Sequence, residues 1–261
     1  MGFNPYFHSA TFIYEELSDN DAFKAVGSTI EFVYFYGAGA SSESLKDIIK
    51  DGLQMVLPQA EVSVDHDLVA SAYSTYTGEP AITCIIGTGS NSCFFDGETV
   101  SEEVPALAYV LGDEGSASFI GKRLVADFLY KKLPAEMAED FYNTYQLDKD
   151  EIITSVYNKP NANVYLASFS RFAGKHMEHP YVEKIVREGF EKFADIHIAC
   201  FSNCEQVPVH FVGSVGAIFH EILEDVLAKR NMKLGQIMRK PVDGLIKYHL
   251  EYLKVLEAYK V

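Results

Sequence analysis

Residues 81–100 read AITCIIGTGSNSCFFDGETV, and the pattern of the chain changes where this stretch begins. Two apolar, β-branched or aromatic runs flank a glycine-rich polar turn, and a second turn signal follows at Asp96-Gly97. Such a pattern is typical of two neighbouring strands joined by a short turn. A strand rather than a helix follows the glycines, so the turn does not match the dinucleotide-binding fingerprint.

Strand and helix patterns alternate upstream of this stretch. Residues 30–36 (IEFVYFY) predict a buried strand, 43–57 an amphipathic helix, 61–64 a short strand, and an alanine-rich helix extends to about residue 76. This order is typical of a largely parallel sheet covered by helices. The change of pattern at Gly78-Glu79-Pro80 predicts a boundary between a domain of residues 1–79 and one of residues 80–261.

The second predicted domain is mostly helical between residues 113 and 204. One helical face within it is apolar and consists of Val182, Ile185, Val186, Phe190, Phe193 and Ala194. A strand then returns at 209–212, followed by a glycine-rich turn, a helix and a last amphipathic helix that includes residues 245–253. The sequence therefore predicts the α/β class.

Composition excludes several classes of protein. Twenty-two basic and 37 acidic side chains give a net charge of −15, which argues against a nucleic-acid partner because such binding depends on clustered Lys and Arg. No apolar run approaches the roughly 20 residues that span a bilayer, and the first residues do not resemble a signal peptide. The four cysteines fit neither a disulfide scaffold nor zinc-ligand spacing. We expect a cytoplasmic protein without a membrane anchor.

Two glycine-rich turns are candidate ligand-binding elements. The turn of Gly87, Thr88 and Gly89 could present backbone amides to a phosphate, although a plain hairpin turn explains the same residues. The Gly213–Gly216 turn follows a strand and could lie against a flat ring such as adenine, although a simple strand-to-helix turn is an equal alternative. Residues 115–122 resemble a phosphate-binding P-loop but fail its spacing, and Arg123 replaces the hydroxyl residue that would bind Mg²⁺.

Two carboxylates occupy positions where they could take part in catalysis or bind a ligand. Asp67 follows a predicted strand, where it could serve as a general base or hold a metal, but capping of the next helix is the favoured explanation. Asp113 lies between glycines, where it could accept hydrogen bonds from sugar hydroxyls or bind a metal. The alternative is that Asp113 or Ser116 caps the following helix.

The order of these motifs resembles one protein family. Asn4, the strand end at Asp67, GTGSN at 87–91, GDEGS at 112–116, RFAG at 171–174 and GSVG at 213–216 follow one another as in N-acetylglucosamine kinases and their BadF/BcrA-type ATPase relatives. These belong to the actin-like ATPase and sugar kinase superfamily. The resemblance implies two ribonuclease-H-like domains flanking a cleft that closes over ATP, Mg²⁺ and a sugar.

The resemblance also implies roles for individual residues. Asp67 would be the general base, and no residue is assigned as a metal ligand. The sugar would be bound by Asn4, Ser90, Asn91 and Asp113. The nucleotide would be bound by Gly87, Thr88, Gly89, Ala173, Gly213, Ser214 and Gly216.

Two departures from the family pattern qualify these expectations. Pro105-Ala106-Leu107-Ala108 stands where the sugar kinases often carry Gly-Trp-Gly, so the sugar is left open. The Asp-x-Gly-x-Thr hairpin that binds ATP phosphates in the family is not found in these 261 residues. We therefore expect an N-terminally incomplete first domain and little kinase activity from this chain.

The leading hypothesis is an ATP-dependent kinase of a GlcNAc-like amino sugar. One alternative is an ATPase that activates a partner enzyme, which the unclustered cysteines disfavour because such activators usually share an iron–sulfur cluster. Another is a sugar- or nucleotide-sensing relative without catalysis. The sequence does not decide the oligomeric state and leaves a homodimer open.

Overall fold

The computed structural model describes residues 2–259, with side chains for residues 2–25 and 27–251. Helices accompany two β-sheets, which confirms the α/β class. The chain divides into two compact units, Met1–Ala70 and Ser71–Val261. The predicted domain limits at residues 79 and 80, and the ribonuclease-H-like identity of each domain, stay predictions.

The first unit contains a two-stranded parallel sheet of β1 (Phe32–Gly37) and β2 (Glu61–His66). Its strands are connected through α3 (Glu43–Val56), as the alternating sequence pattern predicted. Two helices precede β1, namely α1 (Ala10–Ser18) and α2 (Asp21–Val26), and a 3₁₀ turn follows them at Gly27–Thr29. Neither helix was predicted from the sequence.

A small core holds the first unit together. Ile13 of α1, Ile49 of α3 and Val62 of β2 are buried in it. Gly52 lets α1 and α3 approach closely, since a Cβ atom there would lie 2.7 Å from Ile13 Cβ. After β2 the chain enters α4 (Asp67–Thr75) without an intervening loop.

The second unit is organised around a five-stranded mixed sheet in the order β5-β4-β3-β6-β7. Strand β3 pairs antiparallel with β4 and parallel with β6, while β7 pairs parallel with β6. The strands are β3 (Ala81–Ile86), β4 (Ser90–Phe95), β5 (Val100–Ser101), β6 (Pro208–Val212) and β7 (Lys233–Met238). The antiparallel β3–β4 pair confirms the predicted hairpin.

Helices account for most of the segment between β5 and β6. They are α5 (Ala108–Leu111), α6 (Ala117–Leu129), α7 (Ala135–Tyr145), α8 (Lys149–Ile153), α9 (Ala162–Ser168), α10 (Ser170–Lys175) and α11 (Pro180–Phe193). Five-residue π-helical turns follow α8 at Thr154–Asn158 and α11 at Ala194–Ile198. After β6 come α12 (Ser214–Ile218), α13 (His220–Ala228) and, beyond β7, α14 (Val242–Tyr259).

Aromatic side chains fill much of the second unit's core. Phe141, Phe190, Phe193 and Phe211 are at most 1% exposed. The predicted apolar face of α11 is buried as expected, with Phe190 and Phe193 on it. No helix of residues 2–259 is both long and apolar enough to cross a membrane.

His210 of β6 is a buried titratable group within this sheet. Its Nδ1 accepts a hydrogen bond from the backbone N–H of Gln236 at 2.8 Å, and Gly235 leaves room for the ring because a Cβ atom there would collide with it. Nε2 is buried without a hydrogen-bond partner among the described residues. Burial lowers the pKa of His210, since the charged imidazolium would lose its hydration.

We expect His210 to make stability fall with acidification. Below the unfolded-state pKa of about 6.5 the unfolded chain binds a proton that the folded chain resists, so the free energy of unfolding decreases as pH falls through this range. His210→Asn keeps an acceptor near the Nδ1 position and does not titrate. Urea unfolding at pH 7.5 and 5.5 should show that the free energy of unfolding falls less with acidification in this variant than in the wild type. An equal fall in both proteins would contradict the role of His210 in this pH dependence.

Candidate active site

The GTGSN segment forms a tight turn between two strands of the second unit. Gly87–Gly89 connects β3 to β4, Ile86 lies opposite Ser90 in the antiparallel register, and the Gly87 N–H donates to Gly89 O at 2.9 Å. Thr88 is exposed at the tip. The prediction that this turn joins adjacent antiparallel strands is confirmed.

The GDEGS loop packs directly against this turn. Asp113 Oδ1 accepts the backbone N–H of Ser90 at 3.1 Å, and a Cβ atom on Gly89 would lie only 2.8 Å from the same oxygen. Asp113 has a positive φ of 58°, a conformation uncommon outside glycine but tolerated by Asp. Two motifs separated by some twenty residues thus meet, with a buried carboxylate at their contact.

The start of α6 closes the other side of the turn. Ser116 Oγ caps the helix by accepting the N–H of Phe119 at 3.2 Å. The N–H groups of Ala117 and Ser118 donate to Gly87 O and Thr88 O at 2.9 and 3.1 Å. The sequence allowed either Asp113 or Ser116 to cap this helix, and the structure shows that Ser116 caps it.

The third motif, GSVG, also lies next to the GTGSN turn. Gly213 has φ +129°, and a Cβ atom on it would collide with Ile86 O and lie 3.1 Å from Gly87 N. Its N–H donates to Met238 O at the end of β7 at 2.8 Å. Because β3, β6 and β7 are parallel, their carboxyl ends meet here, which is where open α/β sheets bind ligands.

The remaining predicted nucleotide residues differ in exposure. Ser214 begins α12 and is exposed, whereas Gly216 is buried in the same short helix. Ala173 of α10 is fully buried and offers no accessible surface. A Cβ atom on the next residue, Gly174, would lie 3.9 Å from Ile218 Cγ2, so α10 lies beside the end of α12.

The charge state of Asp113 follows from its surroundings. Burial raises its pKa, the Ser90 N–H opposes this by stabilising the carboxylate, and the neighbouring negative charge of Glu114 raises it further. Ser118 Oγ lies 3.5 Å from Asp113 Oδ2, and the positive charge of Lys122 also lowers the pKa. The group is a partly desolvated hydrogen-bond acceptor held by several contacts.

Two predicted sugar-binding residues of β4 have defined partners. Ser90 Oγ donates to Glu114 O at 2.8 Å. Asn91 Nδ2 donates to Glu102 Oε2 at 3.2 Å, and Asn91 Oδ1 accepts the N–H of Ser92 at 2.8 Å. A ligand that binds Asn91 through its side chain would exchange these contacts for its own.

Asp67 lies in the first unit at the carboxyl end of β2, where the sequence predicted it. It is the first residue of α4, its side chain is 50% exposed, and its Oδ1 lies 3.8 Å from His66 Nδ1. The nearby Asp65 forms an ion pair with Lys46 at 3.0 Å. Of these two carboxylates, Asp67 is the more exposed.

Asn4 belongs to the same unit. Its Oδ1 accepts the N–H of Tyr6 at 3.0 Å, and its backbone N–H donates to His8 Nδ1 at 3.0 Å. The loop after β1 approaches it closely, because a Cβ atom on Gly39 (φ +86°) would meet Asn4 Oδ1 at 2.5 Å. Asn4 is thus fixed beside the end of β1.

Sequence reasoning missed a buried histidine behind the GDEGS loop. His197 Nε2 lies 3.5 Å from Glu114 Oε2, and its side chain is 5% exposed. The histidines are scattered in the sequence, and nothing in their spacing singles out this one. In the described part of the chain, no group of three or more His, Cys, Asp or Glu residues could hold a metal ion.

Three solved structures are similar to this chain. A Porphyromonas gingivalis protein, provisionally described as an N-acetylglucosamine kinase, shares 35% identity with a TM-score of 0.89 over 95% of this chain and 88% of the other. A Chromobacterium violaceum protein with the same provisional description shares 16% identity with a TM-score of 0.71, covering 94% and 87%. A ROK hexokinase from Thermus thermophilus shares 14% identity with a TM-score of 0.53, covering 97% and 89%.

The last two similarities concern the fold alone, because so few residues are shared. The first combines a shared fold with substantial identity over most of both chains. No protein-family model and no curated protein matches the sequence.

Proposed function

This chain belongs to the N-acetylglucosamine kinase family, and we propose that it transfers the γ-phosphoryl group of ATP to a hydroxyl group of a GlcNAc-like amino sugar. The observation that carries the proposal is the meeting of GTGSN, GDEGS and GSVG at the carboxyl ends of β3 and β6, with the buried Asp113 among them. Phosphoryl transfer depends mainly on positioning and electrostatic stabilisation, which such a rigid, glycine-lined set of turns can supply.

Asp113 is the proposed anchor for sugar hydroxyls. A carboxylate accepts hydrogen bonds from two adjacent hydroxyl groups, and such charge-assisted bonds are stronger than neutral ones. The hydrogen bond from the Ser90 N–H to Asp113 Oδ1 already fixes the carboxylate, so Oδ2 is oriented before the sugar binds. Ser90 and Asn91 are the other proposed sugar-binding residues of the second unit, and Asn4 is the one proposed in the first unit.

The glycine turns are proposed to bind ATP, which arrives as its Mg²⁺ complex and is a substrate in this scheme. Mg²⁺ in kinases is held largely by phosphate oxygens with one or two carboxylates. Thr88 at the exposed tip would contact the phosphates together with Gly87 and Gly89. The turn from Gly213 through Gly216 and the neighbourhood of Ala173 would border the adenosine.

Asp67 is proposed to accept the proton of the attacking hydroxyl. Its side chain is 50% exposed at the start of α4, the carboxyl end of β2. The proton leaves the sugar oxygen as the bond to the γ-phosphorus forms and the bond to the β–γ bridging oxygen breaks, giving the sugar phosphate and ADP.

The test measures binding and turnover separately. Calorimetry with GlcNAc, ManNAc, glucose and glucosamine reports on the sugar site, and an ADP-coupled assay with MgATP reports on the reaction. We expect GlcNAc to bind most tightly, and to be phosphorylated by a version to which the family's Asp-x-Gly-x-Thr hairpin has been added. ATP hydrolysis that is indifferent to every sugar would favour the ATPase alternative, and sugar binding without turnover would favour a sensing relative.

Asp113→Asn should chiefly weaken sugar binding. Asparagine has nearly the same shape and tolerates positive φ, but it replaces one acceptor oxygen by a donor. Loss of a hydrogen bond to a charged group corresponds to a Kd for sugar raised by about 10–100-fold. Calorimetric titration of the wild type and of Asp113→Asn with GlcNAc measures this change in Kd.

Asp127→Asn is the matched control for this variant. Asp127 is another buried carboxylate of the second unit, and it accepts hydrogen bonds from Tyr181 Oη at 2.7 Å and Arg123 Nε at 3.0 Å. We expect a lower Tm with an unchanged sugar Kd. If Asp127→Asn weakened sugar binding as much as Asp113→Asn, the effect would be one of general destabilisation.

A further inference from the structure

His197 occupies an unusual backbone element behind the GDEGS loop. It lies in the π-helical turn Ala194–Ile198 that extends α11. Such turns are rare, and they occur frequently at functional sites. The turn lies against β4, where the His197 backbone carbonyl accepts the Ser92 hydroxyl at 2.6 Å.

A histidine at this position has a cost that an apolar residue would avoid. His197 is 4% exposed, and its Nδ1 is buried without a hydrogen-bond partner among the described residues. A buried polar atom left unpaired destabilises the folded state, because it loses its hydrogen bonds to water. The ring itself stacks on Phe193 with centroids 4.9 Å apart, a contact that a phenylalanine could make equally well. Packing therefore does not explain the imidazole.

The other ring nitrogen supplies an explanation. Nε2 lies 3.5 Å from Glu114 Oε2, and the Glu114 side chain is only 16% exposed. Burial lowers the pKa of His197, while the charges of Glu114 and Asp113 oppose this. The neutral ring with its proton on Nε2 directs an N–H toward the Glu114 carboxylate and leaves Nδ1 as the unpaired acceptor.

Glu114 is directly connected to the proposed sugar anchor. It follows Asp113 directly in the chain, and its backbone carbonyl accepts the Ser90 hydroxyl at 2.8 Å. Asp113 holds a positive φ, which persists only when its surroundings fix it. The two carboxylates also repel each other, so the orientation of one affects the other.

We infer that His197 is a positioning residue of the sugar site, which acts by holding the Glu114 carboxylate back from Asp113 and so fixes the Asp113 carboxylate for substrate hydroxyls. This inference rests on the proposed function. His197 touches no substrate in this scheme. Its effect reaches the sugar through Glu114 and the Asp113–Glu114 peptide unit.

Two substitutions separate positioning from packing. His197→Phe keeps the aromatic stack on Phe193 and removes the donor, and it also removes the unpaired Nδ1. We expect the sugar Kd to rise about tenfold while the Tm stays the same or increases. His197→Gln places an amide nitrogen near the Nε2 position, and it should restore most of the lost affinity.

A double-substitution cycle with Glu114→Gln identifies the path of the effect. If His197 acts through Glu114, the double variant His197→Phe/Glu114→Gln should bind sugar no worse than the weaker single variant. Additive losses would overturn the inference. His210→Asn is the control, because His210 is equally buried in the same unit and should leave the sugar Kd unchanged.

The outcomes distinguish the two proposals. A wild-type protein that binds none of the four sugars would overturn the proposed function and this inference with it. Sugar binding by the wild type together with equal binding by His197→Phe would overturn the positioning role alone. Loss of affinity in His197→Phe that follows a fall in Tm, without rescue by glutamine, would also overturn it.

Discussion

In a version carrying the family's Asp-x-Gly-x-Thr hairpin, Asp67→Asn is expected to lower kcat for sugar phosphorylation by about 10²–10⁴-fold while sugar binding stays close to that of the same version with Asp67. The amide cannot accept the hydroxyl proton, but its size and its position at the start of α4 are nearly those of the carboxylate. Asparagine is also a good residue at a helix start, so folding should be preserved. The measurement is the initial rate of ADP formation at saturating sugar, with the sugar Kd determined by calorimetry.

Asp65→Asn is the matched control for the general base. Asp65 lies two residues away on β2 and forms an ion pair with Lys46, so its loss should affect stability more than turnover. A kcat equal to wild type in Asp67→Asn would reassign Asp67 to the structural role that the sequence first favoured. A large rise in KM with unchanged kcat would assign it to binding.

The elements that the sequence predicted well have strong local patterns. The hairpin of residues 81–95, α3 and the buried face of α11 each combine a clear hydrophobic period with turn or cap residues. Strand β7 was not predicted, because Lys233–Met238 contains a glycine and alternates poorly. Its conformation depends on pairing with β6 and on the His210 ring over Gly235, and neither contact is local in sequence.

The site shows the same division between local and long-range information. Sequence order placed Gly89, Asp113 and Gly213 in one family pattern, and the structure brings these three residues of the second unit together. The sequence could not show that Ser116 rather than Asp113 caps α6, because serine and aspartate are both favoured at the start of a helix. It also could not find His197, whose approach to Glu114 depends on a π-helical turn.

Gly213→Ala is expected to cost the second unit several kcal/mol of folding free energy. A positive φ disfavoured by about 1–3 kcal/mol for a non-glycine residue adds to a backbone collision with Ile86 O. The atoms that the added Cβ would meet, Ile86 O and Gly87 N, belong to the backbone and cannot move aside as the end of a side chain can. Strands β3 and β6 must therefore separate at the point where the two glycine turns meet. Thermal unfolding should show a Tm lower by more than about 8 °C.

Gly216→Ala provides the comparison within the same motif. Gly216 lies in α12 with a helical backbone, and the nearest atoms to an added Cβ are 3.7 Å away on Leu223 and Phe211. Alanine in a helix is favoured over glycine by about 0.5–1 kcal/mol, so this variant should be as stable as the wild type or more stable. If both glycines tolerated alanine equally, the packing of GSVG on the GTGSN turn would be looser than the structure indicates. The proposed nucleotide site would then lose the rigid contact on which it depends.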